Sequence, residues 1–263
     1  MLATVDDFSP TAIEERTDRV RVFFARSADR DAARRALAPS FPVSAIDVPD
    51  EDWARRSQQN LQPVTIGRVT IVPTLQFDNP QSISNQQLAI SNAAIRIVIA
   101  PSMGFGTGHH ATTRSCLEAL QAIDLAGANL LDIGTGSGVL AIAAVRLGAA
   151  RAVGIDVDAD AIDAARENLA LNPEVAGRVS FDVDDVWSLD GDAGCDVITA
   201  NLTGALLVHS APKLLAAVRP GGMVIVSGLQ AHERDDIERA LADADRVWAR
   251  TADEWVTLTV KRR

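Results

Sequence analysis

No apolar run in the 263-residue chain reaches the roughly 18 to 20 residues that cross a bilayer. The best candidate, residues 129–150, is broken by Asp132 and several glycines. A basic segment followed by an apolar run is also missing from the start of the chain, where Asp6 and Asp7 stand instead, so no secretory leader is expected and a cytosolic protein is. Cysteine is scarce. Cys116 and Cys195 lie far apart with no CxxC or Cys/His spacing, which argues against a disulfide framework or a zinc site and leaves both as small buried apolar residues. Positive charge is short as well: 25 Lys and Arg against 35 Asp and Glu leave a net charge of −10, which lacks the basic footprint of a nucleic-acid binder and tolerates a basic partner. Tyrosine is absent altogether.

The residues present are those of a packed globular protein, 47% hydrophobic and 23% charged, and the length suits one large α/β domain plus a smaller module. Residues 19–25 alternate as a strand, 28–38 carry helical spacing up to Pro39, 41–48 read as a strand, 50–61 as a helix and 68–73 as a strand. These make a small α+β domain over 1–75. Its 10 Arg nearly balance its 11 acidic residues, so the excess of negative charge, −9, lies beyond it. Residues 76–94, rich in Asn, Gln and Ser without a steady period, read as a linker. From residue 95 to 263 strands alternate with helices. Strands are expected at 95–100, 129–133, 152–156, 179–183, 196–200, 223–227 and 255–260, with helices at 111–123, 139–147, 159–171, 204–218 and 231–242. Such an order makes a doubly wound, mostly parallel seven-stranded sheet with helices on both faces. A turn is expected at Pro220-Gly221-Gly222.

The strongest local signal is Leu130-Leu131-Asp132-Ile133-Gly134-Thr135-Gly136-Ser137-Gly138-Val139-Leu140, an apolar strand running through a glycine loop into a helix. Glycines there let the backbone turn tightly and approach a ligand, and the helix start offers NH groups to a carboxylate or phosphate. A dinucleotide fingerprint of G-x-G-x-x-G form beginning at Gly134 would need glycine at 139, where Val139 stands. The actual spacing, G-x-G-x-G with Asp132 two residues ahead, resembles S-adenosylmethionine (SAM)-dependent methyltransferases. The next strand ends in Asp156, whose carboxylate can accept both hydroxyls of a ribose in either kind of cofactor. The third ends at Asp182-Val183-Asp184-Asp185, where methyltransferases of this type present an acidic side chain to the adenine amino group. Asp184 is the candidate, with a helix cap as the competing role.

Four separated segments resemble one family, the ribosomal-protein methyltransferases called PrmA, which methylate amines of the large-subunit stalk-base protein. They are Phe105-Gly106-Thr107-Gly108-His109-His110-Ala111-Thr112-Thr113, the glycine loop, Ala200-Asn201-Leu202, and Glu254-Trp255-Val256. The resemblance implies that SAM is the cofactor, that Thr107 contacts its methionine part, Gly134 its amino group through backbone, Asp156 its ribose, and Asn201 the region of methyl transfer. With Asp132, Gly136 and Asp184 these form the expected cofactor set, and Asn201 is the expected catalytic residue. The resemblance further implies a protein N-methyltransferase acting on a basic ribosomal protein; from spacing, charge and hydropathy no metal, no nucleic acid and no membrane are expected, and a monomer is. The chain departs from the family pattern at His109-His110-Ala111, where Thr-His-Pro is usual, and at Thr135, where Cys is common. Both departures spare the cofactor logic. Adjacent side chains such as His109 and His110 point apart, which favours a loop or cap role over a metal pair.

Leu202-Thr203-Gly204 after Asn201, and the lack of tyrosine, oppose a base methyltransferase that stacks an extruded base beside its asparagine. A small-molecule amine methyltransferase and a SAM-binding regulator without transfer chemistry remain as alternatives.

Overall fold

The computed structural model describes residues 12–15, 20–23, 27–39, 41–46, 62–74, 95–100, 110–189 and 194–263. By contact the chain divides into Met1–Arg55 and Arg56–Arg263. In the first unit, β1 (Ala12–Glu15) and β2 (Val20–Phe23) pair antiparallel with Ala12 opposite Phe23, and helix α1 (Ser27–Leu37) buries Ala33 and Leu37. Residues 41–46 form no strand, contrary to expectation, and Phe41, Val43 and Ile46 are exposed. The helix expected over 50–61 and the linker expected over 76–94 lie outside the described residues.

The larger unit opens with β3 (Val64–Ile66), β4 (Val69–Pro73) and β5 (Ile95–Ile99), which form their own three-stranded sheet in the order β3-β4-β5. This corrects two expectations. The strand at 95–100 does not enter the large sheet: it runs parallel to β4, with Val69 opposite Ile95 and Pro73 opposite Ile99. Its other edge is closed by side chains, since Asn172 Oδ1 accepts the Val98 N–H at 2.9 Å, Asn172 Nδ2 donates to the Val98 carbonyl at 2.7 Å, and Asn168 Oδ1 accepts the Ala100 N–H at 2.7 Å. And β4, read as the end of the small domain, pairs on one side with β3 and on the other with β5.

Helix α2 (Ala111–Ala122) follows, then β6 (Asn129–Ile133), α3 (Val139–Leu147), β7 (Arg151–Asp156), α4 (Ala159–Ala170), β8 (Val179–Val183), β9 (Cys195–Asn201), α5 (Gly204–Ala217), β10 (Val218–Gln230), α6 (Arg234–Ala240), β11 (Ala244–Ala252) and β12 (Trp255–Arg262). The sheet has seven strands in the order β11-β12-β10-β9-β6-β7-β8; the four pairings from β10 to β8 are parallel and the two at the β11 end antiparallel. Its seventh member is β11, for which no strand was expected. The turn expected at Pro220–Gly222 is absorbed into β10 as a break in register between Val218 and Met223.

One apolar cluster joins Leu117 and Leu120 of α2 and Ile142 of α3 to Ile71 and Ile97 of the small sheet. The other joins Leu207 and Leu214 of α5 to Ile198, Val226 and Leu229. Helix α3 is buried along its whole face from Val139 to Val145, which explains its nearly uniform apolar sequence. Among the described residues, no helix is long and apolar enough to cross a membrane. Asn168 also donates to the Ser137 carbonyl at 2.9 Å, so it links the chain leaving β5 to the glycine loop. Replacing Asn168 by leucine removes the acceptor of the Ala100 N–H and the donor to the Ser137 carbonyl, and the unfolding free energy is expected to fall by about 1–3 kcal/mol in denaturant titration.

Candidate functional site

The glycine loop sits where β6 gives way to α3, beside the carboxyl end of β7, the edge at which open α/β sheets bind ligands. Gly134, Gly136 and Gly138 have φ of 67°, 51° and 78°, the left-handed region that side chains other than glycine's resist. The N–H groups of Gly134 and Thr135 both donate to the Ile155 carbonyl, at 2.9 and 3.0 Å. What Gly134 can offer a ligand is therefore its carbonyl, an acceptor suited to an ammonium group. Gly138 lets the loop lie against β8 and α4, where a Cβ would come within 3.1 Å of the Ala165 Cβ. Val139 begins α3 and is buried.

Asp132 lies beneath the loop, 1% exposed, and its carboxylate accepts from Thr135 Oγ1 and Thr199 Oγ1, both at 2.6 Å, and from the Ala141 backbone. It thereby caps α3, whose N-cap Gly138 has no side chain to do so. Burial pushes the Asp132 carboxyl up to about 6, against the pull of the two threonine hydroxyls, and Asp156 pushes the same way. Because the folded state holds this proton more tightly than the unfolded chain, stability contributed here falls as pH rises from about 4 to 6 and is flat above. Asp132→Asn removes that slope: relative to the parent, its melting temperature is expected to rise by an amount equivalent to about 3 kcal/mol between pH 4 and 7. Scanning calorimetry at several pH values checks this.

Asp156 ends β7 with each carboxylate oxygen holding one N–H: Gly136 donates to Oδ2 at 3.0 Å and Asp158 to Oδ1 at 3.1 Å. Each oxygen keeps a lone pair, so the group can accept two further hydroxyls in a fixed orientation. Asp184 follows β8 and its N–H donates to the Asp156 carbonyl at 3.0 Å, which sets the two residues side by side. Its Oδ1 accepts from Ser188 Oγ at 2.5 Å and from the Asp185 N–H at 2.8 Å; these bonds hold its carboxyl below the usual range and leave Oδ2 for a ligand. Asp185 instead caps the short helix Val186–Ser188, accepting from the Trp187 N–H.

Asn201 ends β9. Its Nδ2 donates to Thr112 Oγ1 at 3.3 Å. The Thr112 hydroxyl also meets His110 Nδ1 at 2.8 Å, and the Thr112 N–H, which can only donate, points at the same nitrogen at 3.4 Å. Nδ1 is thus the acceptor, Thr112 donates its hydroxyl proton to it, and a lone pair of the same Thr112 oxygen takes the Asn201 amide proton. That order leaves Asn201 Oδ1 free to accept from an incoming amine. His110 is the N-cap of α2, and its ring lies edge-on to Trp255, 5.1 Å between centroids, so the C-terminal Glu254-Trp255-Val256 segment closes on the same spot. Thr107, Phe105 and His109 lie outside the described residues. Thr112, Thr199 and Asn168 escaped sequence reasoning; only Thr112 lay within a motif singled out there. Among the described residues, no group of three or more His, Cys, Asp or Glu is placed to hold a metal ion.

Glycines in the left-handed region, a carboxylate with two lone pairs held beside them, and a second carboxylate just past the end of the next strand fit a ligand carrying a ribose diol, an aromatic amine and an amino acid. On this sheet order they define a SAM-dependent methyltransferase. The fold is shared with magnesium protoporphyrin IX methyltransferase from Synechocystis, solved with bound SAM, at a TM-score of 0.51, with 20% identity over 59% of this chain and 80% of that one. The structure of a ribosomal protein L11 methylase from Lactobacillus delbrueckii subsp. bulgaricus superposes with a TM-score of 0.64 at 27% identity, over 77% of this chain and 98% of that one. The model of the ribosomal protein L11 methyltransferase (PrmA) family matches residues 8–263, and the chain belongs to that family. Ribosomal protein L11 methyltransferases from Pelobacter propionicus and Deinococcus radiodurans are each 36% identical to it, over 98% and 96% of this chain and 85% and 90% of their own lengths.

Proposed function

We propose that the chain transfers methyl groups from SAM to amine nitrogens, lysine side chains or the N-terminal amine, of its large-subunit ribosomal protein L11. The observation that carries this reading is the Asn201 turn, where Thr112 engages the amide nitrogen and so leaves the amide oxygen as the group to receive an amine. When bound, SAM supplies a methyl group already activated by a sulfonium, so the leaving group needs no acid. The chain's own residues then hold and orient. Asp156 accepts the ribose hydroxyls, Asp184 the adenine amino group, the Gly134 carbonyl the methionine ammonium, with Gly136 shaping the loop and Thr107 reaching the methionine part. Asp132 acts through the loop it holds.

A lysine amine has a pKa of about 10.4 and an α-amine about 8, so the acceptor must shed a proton before it reacts. Asn201 Oδ1 accepts a hydrogen bond from the neutral amine and turns its lone pair toward the methyl group. The negative charge carried by residues 76–263 favours approach of a basic protein. The N-terminal unit, with Phe41, Val43 and Ile46 exposed, offers apolar surface that a protein partner would cover. The enzyme acts as a monomer in the cytosol.

Incubation with methyl-labelled SAM and ribosomal proteins from a matching source tests the reading. Label is expected on L11; label on small amines alone would reject the protein substrate, and SAM binding without any transfer would make the chain a regulator.

A further inference from the structure

Strand β10 carries a bulge at the level of the acceptor turn. Its register against β12 shifts between Ser227 and Leu229, and the residue between them, Gly228, has φ of 93°. Bulges of this kind recur beside active sites, where they make room for or re-aim a neighbour. Here the neighbour is the Asn201-Leu202 turn: a Cβ on Gly228 would collide with the Leu202 carbonyl oxygen and lie 3.1 Å from Asn201 Oδ1. Leu202 is held on two further sides. Its N–H donates to the Ser227 carbonyl at 3.0 Å, and its side chain covers the α-carbon of Gly134, where a Cβ would collide with Leu202 Cδ2.

We infer that Gly228 and Leu202 are positioning residues for methyl transfer: Leu202 is wedged between the α-carbons of Gly134 in the cofactor loop and Gly228 in the bulge, and this wedge fixes the Asn201 amide relative to the cofactor. The inference rests on the proposed role of Asn201. Neither residue donates or accepts a proton in the reaction. Gly228 sets how far the Leu202 carbonyl can move back into β10, and Leu202 transmits the position of the cofactor loop to the acceptor side. The amide of Asn201, tied at its other end to Thr112, then has one orientation. A shift of about 1 Å in a positioned group costs about 100-fold in rate.

The test measures kcat, KM for L11, the SAM dissociation constant and the melting temperature for Gly228→Ala, Leu202→Ala, Leu202→Met and Asn201→Ala in the full chain. Gly228→Ala is expected to lower kcat about 100-fold with the SAM dissociation constant within about 3-fold of the parent. Leu202→Ala is expected to lower kcat about 10-fold or more, and Leu202→Met, which still reaches Gly134, to regain most of it. Leu202→Ala or a folded Gly228→Ala with parental kcat, while Asn201→Ala is impaired, would overturn the wedge and leave the Asn201 reading standing. If Gly228→Ala does not fold, the comparison of Leu202→Ala with Leu202→Met decides alone. Losses of kcat that only track loss of SAM affinity would also overturn it. Parental turnover in Asn201→Ala, or no transfer to L11 by the parent chain, would remove the proposed function and this inference together.

Discussion

Asn201→Ala is expected to lower the turnover number by about 100-fold or more while the SAM dissociation constant changes less than about 3-fold. The separation follows from where the side chain stands. Asn201 ends β9, one strand over from the glycine loop, and its amide is bonded to Thr112 of α2 rather than to any residue that faces the ribose. Truncation leaves Asp156, Gly134 and Asp184 untouched. On the role proposed for Asn201, what disappears is the acceptor that selects the neutral amine and aims its lone pair, an interaction made only as the nitrogen approaches. Steady-state kinetics at saturating SAM, beside calorimetric titration of the same variant, measures both quantities. Equal losses in both would assign Asn201 to cofactor binding instead.

The second large effect is its counterpart. Asp156→Ala is expected to weaken SAM binding by about 100-fold, since two hydroxyl bonds to a charged acceptor are each worth about 1.5–3 kcal/mol and water recovers part of the sum. The loop also loosens, because the same carboxylate holds the Gly136 and Asp158 N–H groups. Asp156→Asn keeps one acceptor oxygen and should fall between. Titration with SAM gives the effect directly, and titration of the parent with NAD serves as the control: Val139 in place of glycine predicts no binding. An Asp156→Ala protein that binds SAM as tightly as the parent would place the ribose elsewhere.

The pieces legible in the sequence are those whose cause is local. Gly134, Gly136 and Gly138 are required by the backbone turn itself, and Asp156 announces itself by ending an apolar strand at a fixed distance from them. Helix α3 is legible because every turn of it is buried. The expected strand at 95–100 shows where this stops. Ile95-Arg96-Ile97-Val98-Ile99 reads as a buried strand whichever sheet receives it, and its partners, Val69–Pro73 and the Asn172 side chain, are fixed only by the assembled core. Strand β11 went unseen for the opposite reason: at the exposed edge of the sheet its Asp245, Arg246, Arg250 and Thr251 give no apolar stripe to count. Within the site, the bond from Asn201 to Thr112 spans 89 residues, and the bulge at Gly228 shows only as one glycine in an apolar strand.

The closure of β5 by Asn172 bears on how the protein behaves when concentrated. A strand edge with unpaired amides and carbonyls is a template onto which another chain can add. One side chain, itself 1% exposed, pairs with both groups of Val98 and denies that edge to intruders. An Asn172→Val protein would therefore be prone to self-association during refolding even where its folded form still transfers methyl groups, and light scattering would register the difference before any enzyme assay did.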